Sequence, residues 1–248
     1  MATTVQNRAG VLIRRLDNIF PLFDDEKAAF ETLLIQVMDI RTDQDIVREG
    51  DRPSRSCLIL EGFACMSKIT AQGKRQIMSF YVPGDIPDLQ SLHLTVMDAT
   101  LQTITPCKVG SIQHEALIGL CDRHPRIAHV LWRETLIDAA IFREWVMNVG
   151  RRDAYARMAH VMCEVVIRLR VVGLAQGNTC DLPMTQSEFA DALGLSTVHV
   201  NRTLQEMRAD KLIHLNGSKL TILDWEQLKE VGEFDPTYLH LEQKAAAA

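Results

Sequence analysis

The sequence predicts an α+β protein in three parts: an N-terminal antiparallel β-roll of the jelly-roll kind, one long helix, and a C-terminal winged helix-turn-helix. Three observations carry this. Short β-type runs punctuated by Gly and Asp fill residues 44–113, an unbroken helical stripe follows over 125–149, and a helix–turn–helix pattern with a hairpin behind it occupies the last third. On those grounds residues 1–124 form a roll domain with flanking helices, 125–149 the long helix, and 150–248 the helix-turn-helix domain.

The 248 residues, 47% of them hydrophobic and 24% charged, suffice for two modest cores. No run approaches the roughly 18 consecutive apolar residues of a membrane span. Arg14 and Arg15 near the N-terminus have no apolar stretch behind them, so no secretory signal is read. A cytoplasmic, non-membrane protein is expected. The six cysteines show no CxxC spacing and no Cys/His cluster for a metal. Cys57 and Cys65 could pair only if two strands brought them together, and disulfides are disfavoured in the cytosol. No GxxxxGK[ST], GxSxG or HExxH pattern is present, which argues against an enzyme.

The roll is read from "DIVREGD", "SCLILEGFACMSKI", "QGKRQIMSFYVPGD" and "ATLQTITPCKVGSI", strands at the spacing of a compact antiparallel barrel or roll. Before it, "DDEKAAFETLLIQV" reads as a helix. After it, Ile127, Val130, Leu131, Ile137, Ile141 and Trp145 recur at three- and four-residue intervals along a helix of about 37 Å. Such a helix outruns a small domain. Its stripe can pack against the roll on one side and a second copy on the other, so these six are the candidate dimer-interface residues. Gly150 is expected to end this helix and Asp153 to cap the next, with a hinge between them. "AQGNTCDLP" reads as a loop.

In "TQSEFADALGLSTVHVNRTLQEMRADKLI", Phe189, Ala190 and Leu193 face inward from a first helix, Gly194 permits the sharp turn, and Ser196 caps a second helix buried through Val200, Leu204 and Met207. Two β-type runs around Asn216 and Gly217 add a hairpin, completing a winged helix. The net charge of −5 excludes indiscriminate coating of nucleic acid, but residues 151–222 hold nine bases and seven acids, a balance of +2 that permits DNA binding. On the outward face Arg202 has the fork that matches O6 and N7 of guanine; Asn201 could pair with adenine, Val198 could meet a thymine methyl, and Gln205 shares the face. Gln186, Ser196, Thr197 and His199 near helix N-termini, with Lys219 on the wing, are placed for phosphates. Beyond the wing a further helix and an extended segment are expected.

Roll, long helix, hinge and winged helix in this order resemble the regulators of the cyclic-AMP receptor protein and FNR superfamily. The carriers are "LGLSTVHVNR" at the reading helix, the roll turns "EGD" (49–51) and "EGFA" (61–64), and "YVPGD" (81–85). The resemblance implies a cyclic-nucleotide-binding-like roll and a homodimer that binds double-stranded DNA at a pseudo-palindromic operator, with RNA polymerase as a further partner. It also implies that Arg202 contacts guanine. The position of Val198 is often glutamate in the family, so the half-site preference should differ there.

The roll departs from the family. After "PGD", cyclic-AMP-binding members carry Gly-Glu; here Pro87 has no N–H to donate and Asp88 is shorter. Met97 and Asp98 stand where an Arg-Ser pair meets the phosphate, and Phe142 and Arg143 where a polar pair meets adenine. With Leu89, these are the effector-pocket candidates, and they predict no cyclic-AMP binding in the family manner. The iron–sulfur mode needs several cysteines ahead of the roll, whereas the first here is Cys57. Haem would need an axial ligand, for which His93 is the candidate. The alternative function is a ligand- or haem-responsive regulatory protein acting through a protein partner, but such a protein has no use for a base-reading face.

Overall fold

A computed structural model describes residues 9–242. Residues 1–8, part of the stretch read as lacking a secretory signal, and 243–248 lie outside the described residues. Two short helices, α1 (Gly10–Asp17) and α2 (Asp24–Glu31), lead into the roll. Its strands are β1 (Gln36–Ile40), β2 (Asp45–Val47), β3 (Arg55–Glu61), β4 (Ala64–Ile69), β5 (Arg75–Tyr81), β6 (Thr100–Thr103) and β7 (Cys107–Gln113). They form two antiparallel sheets, ordered β1-β7-β3 and β2-β6-β4-β5. Then come α3 (His114–Arg123), α4 (Pro125–Arg151), α5 (Ala154–Val171), β8 (Thr179–Asp181), α6 (Gln186–Leu193), α7 (Thr197–Ala209), β9 (Ile213–Asn216), β10 (Lys219–Ile222) and α8 (Trp225–Val231). The third sheet, β8-β10-β9, is the wing. Among the described residues no helix is long and apolar enough to cross a membrane.

Four boundaries differ from the expectations. The helix read through "LLIQV" stops at Glu31, because Gln36–Ile40 is taken by the ladder with β7. The loop around Cys180 contains a strand, since Leu220 on β10 offers it a partner. α4 passes through Gly150, which has open space around it, and the chain leaves the helix at Arg152. Asp153 then caps α5 by accepting from Ala156 N at 2.9 Å. In the wing Asn216 pairs with Lys219, so Gly217 and Ser218 make the turn.

The roll is sealed from within. Cys57, Ile59, Ala64, Met66, Tyr81, Met97, Ala99, Leu101, Cys107 and Val109 form one buried cluster, separate from the larger core that α1, α3, α4, α5, α6 and α7 share. Cys57 and Cys65 belong to different clusters, and all six cysteines are free thiols. The pairing considered for them does not form: Cys57 lies on β3 of one sheet and Cys65 on β4 of the other, and their side chains enter different clusters. Gly62, at φ +90°, makes the "EGFA" turn: a Cβ there would stand 2.5 Å from Pro106 O.

The long helix requires a correction. Ile127, Val130, Leu131, Ile137, Ile141 and Trp145 are at most 4% exposed within the single chain and belong to its main core. Side chains consumed by their own core cannot also form a seam with a second copy. A different stripe of α4 is left uncovered: Trp132 (62% exposed), Leu136 (53%) and Val146 (75%), with Ala128 exposed and Ala139 half-buried on the same side.

Buried ion pairs join the parts. Arg168 on α5 reaches Asp85 of the roll at 2.7 Å and Glu164 at 3.1 Å. Arg15 on α1 reaches the same Asp85 at 3.3 Å and Glu134 on α4 at 3.2 Å. Glu164 also accepts from Trp145 Nε1 at 3.1 Å and from the Tyr238 hydroxyl at 2.7 Å. The segment after the wing thus folds back onto the helices, and Glu242 N donates to Asn18 O at 2.8 Å. Arg152 and Arg168 were counted among the bases of the DNA-binding part, yet their side chains are 5% and 3% exposed and paired to carboxylates. The basic balance is therefore not all surface charge.

Candidate nucleic-acid interface

Local chemistry sets the reading head. Thr185 and Glu188 close a capping box at the start of α6, Glu188 N donating to Thr185 Oγ1 at 3.2 Å and Thr185 N to Glu188 Oε2 at 2.5 Å. Gly194, at φ +65°, ends α6 in the left-handed conformation that favours glycine. Ser196 Oγ then accepts from His199 N at 3.2 Å and starts α7. Val200, Thr203, Leu204 and Met207 bury the inner face of α7.

The outer face is open. Val198, Asn201, Arg202 and Gln205 fall at positions one, four, five and eight of a run and share one side of α7. Val198 is 79% exposed, an uncovered apolar side chain with room for a methyl group. The Arg202 side chain is 67% exposed, and among the described residues its one ion pair is with Glu206 at 3.7 Å, also exposed. Solvent-exposed pairs of this kind contribute little, so the guanidinium fork is free to exchange partners. Asn201 is half-buried, and its amide donates to Gln186 Oε1 at 3.2 Å, bridging the two helix N-terminal regions. Among the phosphate candidates Gln186, Ser196, Thr197 and Lys219 are exposed and His199 is half-buried. Ser196 already spends its oxygen as the cap.

The effector-pocket candidates are not brought together. Pro87, Asp88 and Leu89 are buried, and Asp88 Oδ1 accepts from Cys57 N at 2.7 Å while its Oδ2 has no hydrogen-bond partner among the described residues. Burial pushes this carboxyl up to about 7, and the Cys57 N–H pulls it only partly back. Met97 lies in the apolar cluster inside the roll, whereas Asp98 and Arg143 are exposed. Only Asp98 and Phe142 line a cavity of about 620 Å³ between the roll and α4, with Met66, Met78, Trp145 and Val146. Leu89 lines a neighbouring groove of about 440 Å³, where His93 stands exposed near Ile118 and Trp132. Sequence reading missed the roll residues of the larger cavity, because Met66 and Met78 come together only through the pairing of β4 with β5. Among the described residues no group of His, Cys, Asp and Glu is arranged to hold a metal.

Pro87 has no N–H to donate, and Asp88 Oδ1 is engaged by the roll's own backbone.

Residues 37–124 match the family described as the cyclic nucleotide-binding domain, and residues 156–231 match the Crp-like helix-turn-helix domain. Over 231 residues the chain is 24% identical to the transcriptional activator protein FnrL of Cereibacter sphaeroides, covering 92% of each chain. It is 22% identical over 212 residues to the fumarate and nitrate reduction regulatory protein of Vibrio cholerae, covering 86% of this chain and 84% of that one. Among solved structures, FixK2 from Bradyrhizobium japonicum superposes with a TM-score of 0.72 at 22% identity, over 80% of this chain and 98% of its own. TTHA1359, a CRP/FNR-family regulator from Thermus thermophilus, superposes at 0.60 with 17% identity, over 80% and 98%. With a nucleotide-binding-like roll, a long helix and a free reading helix in family order, the chain belongs to the Crp/Fnr family of DNA-binding transcription regulators.

Proposed function

We propose that the protein regulates transcription as a homodimer whose two α7 helices read a pseudo-palindromic operator through successive major grooves. The observation that carries this reading is the open face of α7, where Val198, Asn201, Arg202 and Gln205 point away from a fully buried opposite side. Arg202 reads a guanine; Asn201, Val198 and Gln205 read neighbouring pairs; Gln186, Thr197, His199 and Lys219 hold phosphates. The uncovered stripe of Ala128, Trp132, Leu136 and Val146, with half-buried Ala139 beside them, is the seam between copies. Relatives named transcriptional activators favour RNA polymerase as the further partner. The roll does not respond to cyclic AMP in the family manner, which a thermal-shift titration checks: micromolar stabilisation by the nucleotide would contradict it.

Binding of the wild type and Arg202→Ala to a library of operator sequences tests the reading. The variant should lose about 1–3 kcal/mol on the preferred site and relax specificity at one base pair. Equal binding of both proteins to every sequence would remove Arg202 from the reading face.

A further inference from the structure

The first helix of the reading head is gripped by the roll. Among the described residues β5 is an edge strand of its sheet, bonded to β4 alone, and it packs against α6. Arg75 Nε meets Asp191 Oδ2 at 2.7 Å, while Arg75 Nη1 donates to Gln102 Oε1 at 2.8 Å, which steadies the guanidinium from within the sheet. The next residue, Gln76, donates from Nε2 to Ala192 O at 3.1 Å. Further along β5 the Phe80 ring stands edge-on to Phe189 of α6 at 6.2 Å and to Trp145 of α4 at 5.5 Å.

The chemistry of α6 accounts for this grip. The last turn of a helix presents unpaired carbonyls and partial negative charge. α6 has no basic residue there and instead carries Asp191, which that end of the dipole disfavours. The missing positive charge comes from outside: Arg75 pairs with Asp191, Gln76 takes the Ala192 carbonyl, and Arg157 Nη1 of α5 takes the Leu193 carbonyl at 2.8 Å. Both last carbonyls of α6 and its misplaced carboxylate are thus completed by other elements. α6 is joined to α7 through one tight turn at Gly194, so whatever orients α6 orients the reading helix.

We infer that Arg75, acting through Asp191, is a positioning residue for DNA recognition: it sets the angle of α7 relative to the long helix and hence the half-site spacing the dimer accepts. This rests on the dimeric reading above, in which the two half-sites lie about 34–36 Å apart, or about 10–10.5 base pairs. Arg75 touches no base. A looser grip leaves each head able to read its half-site but widens the range of spacings tolerated.

The experiment measures affinities of full-length protein for operators whose two half-sites are moved apart in single base-pair steps, and for one isolated half-site. The proteins are the wild type, Arg75→Ala, and the charge exchange Arg75→Asp with Asp191→Arg. Wild type should favour one spacing. Arg75→Ala should reduce that preference by about threefold to tenfold, the scale of one charge-assisted bond, with isolated half-site affinity unchanged. The charge exchange should restore the preference. A wild-type spacing profile in Arg75→Ala overturns the inference, as does an equal loss on isolated and paired half-sites. Wild-type protein that binds every spacing alike overturns both this inference and the dimeric reading, whereas a spacing preference insensitive to Arg75 overturns the inference alone.

Discussion

Asp138 shows what a single side chain does when its surroundings hold more carboxylates than guanidiniums. It lies on α4, accepts from the Tyr81 hydroxyl at 3.3 Å, and shares its enclosure with Asp85 and Glu134. Burial raises its pKa from the ordinary 3.8 to about 7; Arg168 opposes the rise, and Glu134 and Asp85 add to it. The folded protein therefore holds a proton between those values that the unfolded chain has released. That contribution is fully present below pH 3.8 and is lost as pH rises through about 7. Thermal midpoints of Asp138→Asn should fall less with rising pH across this window than those of the wild type, in equal buffers; parallel curves would refute the assignment. Other residues speak directly from the sequence. Gly194, Ser196 and Asp153 were readable because a cap or a tight turn is completed within three or four residues, whatever the rest of the chain does.

At the scale of elements, α4 separates pattern from partner. Its apolar positions were legible as a three-and-four repeat, but a helix wide enough to be apolar on two sides does not say which side meets which neighbour. The structure spends Ile137 and Ile141 on the chain's own core and leaves Leu136 and Trp132 uncovered. The two sides make opposite predictions. Leu136→Glu should convert the proposed dimer to a monomer by light scattering while leaving the core of each chain intact. Ile137→Ala should instead cost about 2–5 kcal/mol in chemical denaturation, the penalty for emptying a buried site. A Leu136→Glu protein that remains dimeric would place the seam elsewhere. The same reasoning explains the strands that were missed. Gln36–Ile40 and Thr179–Asp181 are short segments whose conformation is settled by β7 and β10, partners lying about 70 and 40 residues away by the paired positions.

Across the whole molecule, the chain from Arg15 through Asp85 to Arg168 and Glu164 connects the N-terminal helix, the roll and the DNA-binding part, with Glu134 and Trp145 adding the long helix. Arg168 is its centre: fully enclosed, with Asp85 and Glu164 as its two carboxylate partners. Arg168→Met would leave Glu164 buried without its guanidinium and Asp85 with Arg15 alone, and stability by denaturant unfolding should drop by about 3–5 kcal/mol. A change within 0.5 kcal/mol, the range of an ordinary surface substitution, would show that the pairs do not hold the parts together. The grip of β5 on α6 is a second connection, half-exposed and independent of the first. One joins the domains at their base, and the other orients the reading head.

Sequence by itself determined the order of the parts, the helix-turn-helix with its outward Arg202, and the absence of a backbone N–H at Pro87. Each of those depends on spacing, on local caps and turns, or on a residue such as Pro87 that lacks an atom in any fold. Only tertiary structure decided which stripe of α4 is free, that Arg152 and Arg168 face inward, and that Asp191 is completed by Arg75, a residue 116 positions earlier. Burial and charge pairing belong to surfaces brought together from distant parts of the chain, and no local pattern carries that information.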